Sequence, residues 1–172
     1  RARHDFLAFT DSDVRHRPDY LRTIVAPLLD PKVGCSNTLY RATGARAWYE
    51  RLEQLTLTGD FIVNVVFAAV TGASGFCLGA STALRRETLE RIGGLEPLAD
   101  YLVEDYEMGR RINELGLRSA VQNHFVDTQV DLESPAAWWE HQVYWNLNTR
   151  AARPLLYALT VVIRELPFAF LF

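Results

Sequence analysis

Near its N-terminus the chain carries an apolar run, Phe6-Leu7-Ala8-Phe9, that ends at Thr10 and gives way to Asp11-Ser12-Asp13. A short apolar run without polar alternation is the pattern of a strand buried on both faces, as in a parallel sheet. Ligands of open α/β sheets bind beyond the carboxyl ends of the strands. Two carboxylates at such an end concentrate negative charge at the mouth of a crevice, which is costly unless a cation pairs with it. A hard divalent cation, Mg²⁺ or Mn²⁺, meets that need. It takes oxygen ligands and is often held by one or two carboxylates together with substrate phosphates. The rest of the chain reads as built around that site.

The 172 residues suffice for one domain with a real core, and 49% of them are apolar, which excludes a disordered chain. A formal charge of −3 argues against a general nucleic-acid binder. Of 18 Lys and Arg residues only Lys32 is a lysine, which leaves 17 arginines, the side chain suited to bidentate contact with phosphate or carboxylate. Cys35 and Cys77 lie too far apart for metal-ligand spacing and read as reduced core residues, which suits a cytosolic site. The chain does not begin with Met and both ends read as cut. The expectation is an excised domain, for which the lack of a signal peptide carries no information.

Pro18-Asp19 opens a predicted helix with Leu21, Ile24, Val25 and Leu28 on its apolar face, ended by Pro27 and Pro31. Val33 to Tyr40 reads as a strand. Trp48 to Val70 is mostly helical in pattern, with Gly59-Asp60 as a break. Its second half, Phe61 to Val70, is apolar apart from Asn64. That run is too short to span a bilayer. A buried core helix is the expectation for it, and a helix at a membrane surface is the alternative. Thr71 to Thr82 is rich in small residues that let a ligand approach the backbone, and reads as a strand and loop lining the site. It could equally be a tightly packed interior strand.

Arg86 to Ile92 is a short helix closed by Gly93-Gly94. Glu104-Asp105 then stands where a loop enters a helix running to about Leu115, with Gly116 as its stop. Acids are favoured there by the helix dipole. The functional alternative is a catalytic base aimed into the cleft. Leu117 to Val126 reads as a strand with His124 as a packed or exposed residue rather than a ligand. Ser134-Pro135 starts a helix on which Trp138, Gln142, Trp145 and Thr149 share one face. Such a stripe is usually core, but with Gln142 in it and His141 beside it a binding face is credible. Pro154 breaks this helix, and Leu155 to Phe172 is apolar apart from Thr160 and Arg164-Glu165, as in an interfacial helix followed by the start of a membrane segment.

Four landmarks now stand in order. They are Thr10-Asp11-Ser12-Asp13, the segment Gly79 to Arg86, Gly93-Gly94-Leu95 leading to Glu104-Asp105-Tyr106, and His141-Gln142-Val143-Tyr144-Trp145. Over nearly the whole chain this resembles the ceramide glucosyltransferase-like family of inverting, nucleotide-sugar-dependent glycosyltransferases. That is family 21, close to family 2, and bacterial hopanoid-type glycosyltransferases share the pattern. The resemblance implies a GT-A-type nucleotide-sugar-binding fold, with a mixed, mostly parallel sheet truncated at its N-terminal part and followed by membrane-associated helices. Residues 1–153 would be the C-terminal part of a catalytic domain, and residues 154–172 an interfacial helix or the start of a transmembrane segment.

By position, the resemblance implies that Asp13 is the ligand of the Mg²⁺ or Mn²⁺ that bridges the sugar-nucleotide diphosphate. Asp11 would support the metal or the sugar. Asp105 resembles the general base, with Glu104 beside it in the substrate site. The helix with His141, Gln142 and Trp145 looks like the family's Gln/Arg-x-x-Arg-Trp motif, which binds diphosphate and acceptor. Trp145 matches its Trp, while His141 stands in place of Gln or Arg and Tyr144 in place of Arg. An earlier aspartate that contacts the nucleotide base in the family has no counterpart in this chain. The implied function is transfer of a hexose, glucose first, from a UDP-sugar to a lipid hydroxyl such as that of ceramide, forming a β-glycoside. It would occur at a membrane, with the catalytic domain facing the cytoplasm and no nucleic acid involved.

Two rivals belong beside this reading. An Asp-x-Asp after an apolar strand also occurs in phosphohydrolases of the haloacid dehalogenase type, whose first Asp is a nucleophile. That chemistry wants a lysine well downstream, and Lys32 comes too soon. The other is an inactive membrane-associated relative or binding module, in which the acids only cap and solvate.

Overall fold

The computed structural model describes residues 2–73, 75–152, 154, 155, 157 and 158. They fall into two compact units, Arg1–Leu132 and Glu133–Phe172.

The first unit is built on five strands: β1 (Phe6–Thr10), β2 (Val14–Arg15), β3 (Val33–Thr43), β4 (Ser81–Arg85) and β5 (Arg118–Gln129). Their order in the sheet is β1-β4-β3-β5-β2. The pairs β1·β4, β3·β4 and β2·β5 are antiparallel, and β3·β5 alone is parallel. The α/β sheet is therefore mixed, as expected, but it is not mostly parallel. β1 explains the error. It lies at the sheet edge among the described residues, with Leu7 buried and Phe6 exposed, so it alternates like a one-faced strand. An all-apolar tetrapeptide hides that alternation from a pattern search.

β3 is the central strand, and Val33 to Leu39 are all buried. It runs three residues beyond Tyr40 because β5 continues alongside it to the pair Thr43–Gln129. Two cores flank the sheet. Ala83 and Leu84, neighbours on β4, point to opposite faces and enter different clusters. On one face, helix α1 (Tyr20–Val25) and the 3₁₀ turn Ala26–Leu29 bring Tyr20, Ile24 and Leu28 against Val33 and Val126. As expected, the α-helix stops just before Pro27 and the following 3₁₀ turn, which takes Pro27 in its first turn where the missing N–H is harmless, stops before Pro31. His124 on β5 is buried, as a packed residue.

On the other face, Met108 and Ile112 pack with Cys35, Cys77, Leu84, Ile92 and Leu98. Ile92 follows helix α4 (Arg86–Arg91), and Met108 and Ile112 belong to helix α5 (Glu104–Glu114). Two glycines permit this close packing. A Cβ on Gly109 would lie 2.3 Å from the Phe76 Cα and 2.4 Å from the Cys77 nitrogen, and one on Gly34 would lie 2.3 Å from the Ile112 Cγ2. Helix α5 thus rests directly on the backbone of residues 76–77. Within the helix, buried Glu107 accepts hydrogen bonds from Arg110 and Arg111, one turn further along. Those guanidinium groups, the Arg110 hydrogen bond foremost, hold its carboxyl down at about 2.

Trp48–Val70 departs from expectation. Helices α2 (Trp48–Thr56) and α3 (Ile62–Val70) are joined through a π-helical turn, Leu57–Phe61, so Gly59-Asp60 loosens the helix without breaking it. The core-helix expectation is wrong. Phe61, Ile62 and Val65 touch the core beside Leu39 and Leu78, while Trp48, Leu55, Val63, Val66, Phe67 and Val70 are exposed. Taken as one helix, its 23 residues are long and apolar enough to cross a membrane by length and composition, unlike the shorter apolar run judged alone. Its start is pinned by buried Glu50, which accepts the backbone N–H groups of Arg46 (2.7 Å), Ala47 (2.8 Å) and Leu132 (3.2 Å).

The second unit is described by helix α6 (Pro135–Ala152), capped as expected by the Ser134 hydroxyl, which accepts the Ala137 N–H at 3.1 Å. Pro154, expected to break it, is itself helical, as are the described residues after it. Residues 159–172 lie outside the described residues, and with them most of the expected membrane-proximal segment.

Gly109→Ala should destabilise the protein by about 1–3 kcal/mol, the usual cost of overpacking, because the clash is with backbone that cannot rotate away. Denaturant unfolding of wild type and variant measures this. The Glu107 clamp has a pH signature. Its pKa is depressed, so its stabilisation is complete above the unfolded value near 4.5 and disappears as pH falls towards 2. After discounting for the half-exposed Arg110, a loss on the order of 2 kcal/mol is expected across that window, and Glu107→Gln should flatten it.

Candidate active site

Antiparallel pairing of β1 with β4 sets Thr10 opposite Ser81, so the turn after β1 meets the loop before β4. The Asp11 N–H donates to the Ala80 carbonyl at 3.4 Å, tying the two together. The loop is shaped by buried side chains of β3 and β4. Asn37 Oδ1 accepts the Leu78 N–H at 2.9 Å and the Thr82 hydroxyl at 2.5 Å. Beside it, the Ser81 hydroxyl accepts from Thr38 at 2.7 Å and pairs with the Tyr20 hydroxyl at 2.9 Å. With Leu78 held, the next N–H, that of Gly79, points at helix α5 and donates to Asp105 Oδ2 at 2.9 Å. Asp105 Oδ1 accepts the Tyr106 N–H at 2.7 Å. The side chain is thereby held by both oxygens.

Electrostatics show which acids share a site. Burial pushes the Asp105 carboxyl above its ordinary value of 3.8. The Tyr106 and Gly79 N–H groups pull it back in part, and Glu104 adds a smaller upward push. Asp11 is also raised, first by desolvation from the protein behind it, then by repulsion from Asp13 and from Glu104. The phenol of Tyr40 is pushed far up by burial, and the charges of Asp105 and Asp11 add to that. The fold thus brings Asp11, Asp13, Glu104 and Asp105 within electrostatic reach of one another, with Tyr40 of β3 beside Asp11 and Asp105. Among the described residues none of these four acids makes an ion pair.

Tyr40 was not singled out from sequence. It follows the buried run Val33 to Leu39 on β3, packs on Phe61 with tilted rings whose centroids are 4.6 Å apart, and feels the charges of both Asp105 and Asp11. Its only sequence signal is a hydroxyl-bearing aromatic late in a strand. Asn37 likewise lacks any motif.

The remaining expected residues stand on helix α6. The Trp145 indole N–H donates to His141 Nε2 at 2.8 Å, and the rings meet edge to face. The Gln142 carbonyl accepts from Asn146 at 2.8 Å. These residues form one local group one turn apart.

The carboxylates suit a cation: Asp13 and Glu104 each repel Asp11, Glu104 also repels Asp105, and none of the four makes an ion pair among the described residues. Among the described residues no three His, Cys, Asp or Glu side chains stand close enough to hold a metal unaided. The donor set therefore fits a hard ion with one or two protein ligands and the remainder from phosphate or water.

Because Asp11 is raised, the fold favours its neutral form. Its contribution is most favourable below the ordinary value of 3.8 and is lost as pH rises through the raised one. Asp11→Asn should therefore raise the melting temperature of the metal-free protein at pH 7, and the gain should vanish in acid. A fall at pH 7 would show that Asp11 is not repelled there.

A family model described as glycosyl transferase family 21 matches residues 1–172. Ceramide glucosyltransferase 1 of Caenorhabditis elegans is 24% identical over 133 residues, which cover 72% of this chain and 26% of that protein. Ceramide glucosyltransferase 3 of the same organism is 37% identical over 46 residues, covering 27% of this chain and 10% of that protein. The chain thus matches only about a quarter of the length of the first of these relatives.

Proposed function

This chain belongs to glycosyl transferase family 21, and from that premise we propose that it moves a hexose, glucose first, from a UDP-sugar to a lipid hydroxyl such as that of ceramide, with inversion to a β-glycoside. The observation that carries the proposal is the gathering of Asp11, Asp13, Glu104 and Asp105 with no ion pair to any of them among the described residues. The names of the relatives support ceramide as acceptor. The proposed fold is the GT-A type.

Asp13 would hold Mg²⁺ or Mn²⁺, with Asp11 supporting it. Such an ion supplies a Lewis acid against the charge of the departing diphosphate. Asp105 would take the proton of the acceptor hydroxyl. Its raised pKa makes it a stronger base than an exposed carboxylate, while the Gly79 and Tyr106 N–H groups fix its direction. The hydroxyl then attacks the anomeric carbon opposite the diphosphate, and a single displacement inverts that centre. Glu104 would help position the sugar, and His141, Gln142 and Trp145 would offer a binding face for diphosphate and acceptor. The exposed apolar side of Trp48–Val70 supports work at a membrane, where a headgroup reaches the site while its tails stay in lipid. A cytoplasmic orientation completes the proposal.

The test uses the full-length protein in membranes with labelled UDP-glucose and ceramide. Asp105→Asn should lower kcat by about 10²–10⁴-fold, the usual contribution of a positioned base. In wild type, kcat/KM should rise with pH through an apparent value above 3.8, because Asp105 acts only when ionised. Chelation of divalent metal should abolish turnover. Full activity of Asp105→Asn would remove it as the base, and metal-independent turnover would remove the role of Asp13.

A further inference from the structure

Strand β2 is two residues long and begins directly after Asp13. It sets Arg15 opposite Asp127 of β5, and Asp127 is opposite Arg41 of β3. Residues directly opposed on neighbouring strands face the same side of a sheet. Arg15, Asp127 and Arg41 therefore form a row with two cations and one anion. Arg41 takes the anion, its Nε 2.5 Å from Asp127 Oδ1. Arg15 keeps one long hydrogen bond to an uncharged acceptor, from Nη2 to Gln129 Oε1 at 3.4 Å, and makes no ion pair among the described residues.

An arginine without a carboxylate is ordinary on a protein surface. The place of this one is not. It lines a cavity of about 350 Å³ together with Ser12, Asp13, Gln129 and Asp131. The depression is open to solvent, so a charged group of a ligand can reach it without being buried. This guanidinium stands on a short strand two residues from Asp13 and lines the same depression, as the cation beside the carboxylates Asp13 and Asp131. A guanidinium presents a planar fork that matches two phosphate oxygens.

We propose that Arg15 is a donor-binding residue whose guanidinium holds a phosphate of the sugar nucleotide in this cavity. The inference rests on the transferase reading above. Asp131 is the counterweight: it lines the same cavity and its charge opposes an anion there, so the two residues should act in opposite directions.

The experiment uses the full-length protein, with UDP binding measured by calorimetry in Mn²⁺ and donor KM measured with UDP-glucose. Arg15→Ala should weaken UDP binding and raise KM by about 10–100-fold, the value of a charge-assisted hydrogen bond, with kcat affected less. Arg15→Lys should recover part of the loss. Asp131→Asn should tighten UDP binding. A merely structural role for Arg15 would lower the melting temperature and leave the Asp131 variant neutral, and either that pattern or unchanged UDP affinity in Arg15→Ala overturns the proposal. Turnover with an Arg15-independent KM would sink this inference and spare the transferase. Arg15-dependent UDP binding without sugar transfer would do the reverse. A wild-type protein that neither binds UDP nor transfers sugar removes both.

Discussion

The Asn37 side chain accepts the Leu78 N–H and the Thr82 hydroxyl at a fully buried point on the central strand. Leaving a buried backbone donor unpaired costs about 1–3 kcal/mol, so the loop before β4 is drawn onto β3 at Leu78. One residue later the Gly79 N–H meets Asp105, and the Ala80 carbonyl meets the N–H of Asp11. A single amide thus sets the distance between the turn after β1 and the first turn of α5. Gly109 serves the same arrangement by letting α5 lie on the backbone of residues 76–77.

Charge is distributed unevenly along α5. Its first turn carries Glu104, Asp105 and Glu107. Glu107 is buried and fully answered by two arginines, so it strengthens the fold. Asp105, two residues earlier and half-buried, receives only backbone donors and is destabilised as an anion. The helix end favours both, but its dipole is worth less than the burial it must offset. A structure that neutralises one acid and leaves its neighbours strained has set them apart for another partner, the usual mark of a functional site.

The acids of the candidate site were legible in the sequence because they are local signals. Asp11 and Asp13 end an apolar run, and Glu104-Asp105 begins a helix whose Gly116 stop is plain. Strand direction was not legible. The run Phe6 to Phe9 fits a buried parallel strand as well as an antiparallel edge, and only the pairing with β4 decides. Burial of Trp48–Val70 was misjudged because composition reports how apolar a helix is and not whether anything covers it. Tyr40 and Asn37 escaped for another reason: their roles arise from strand register between β3, β4 and the loop. Register is a long-range property that no window of sequence contains.

The two hydrogen bonds on Asp105 have a stereochemical consequence. Each carboxylate oxygen has two lone pairs, and the Gly79 and Tyr106 N–H groups occupy one on each. The directions still open are settled by backbone, before any other molecule arrives. If Asp105 is the proposed base, selectivity there becomes a matter of trajectory: a hydroxyl that reaches an open lone pair is favoured over one arriving along an occupied direction.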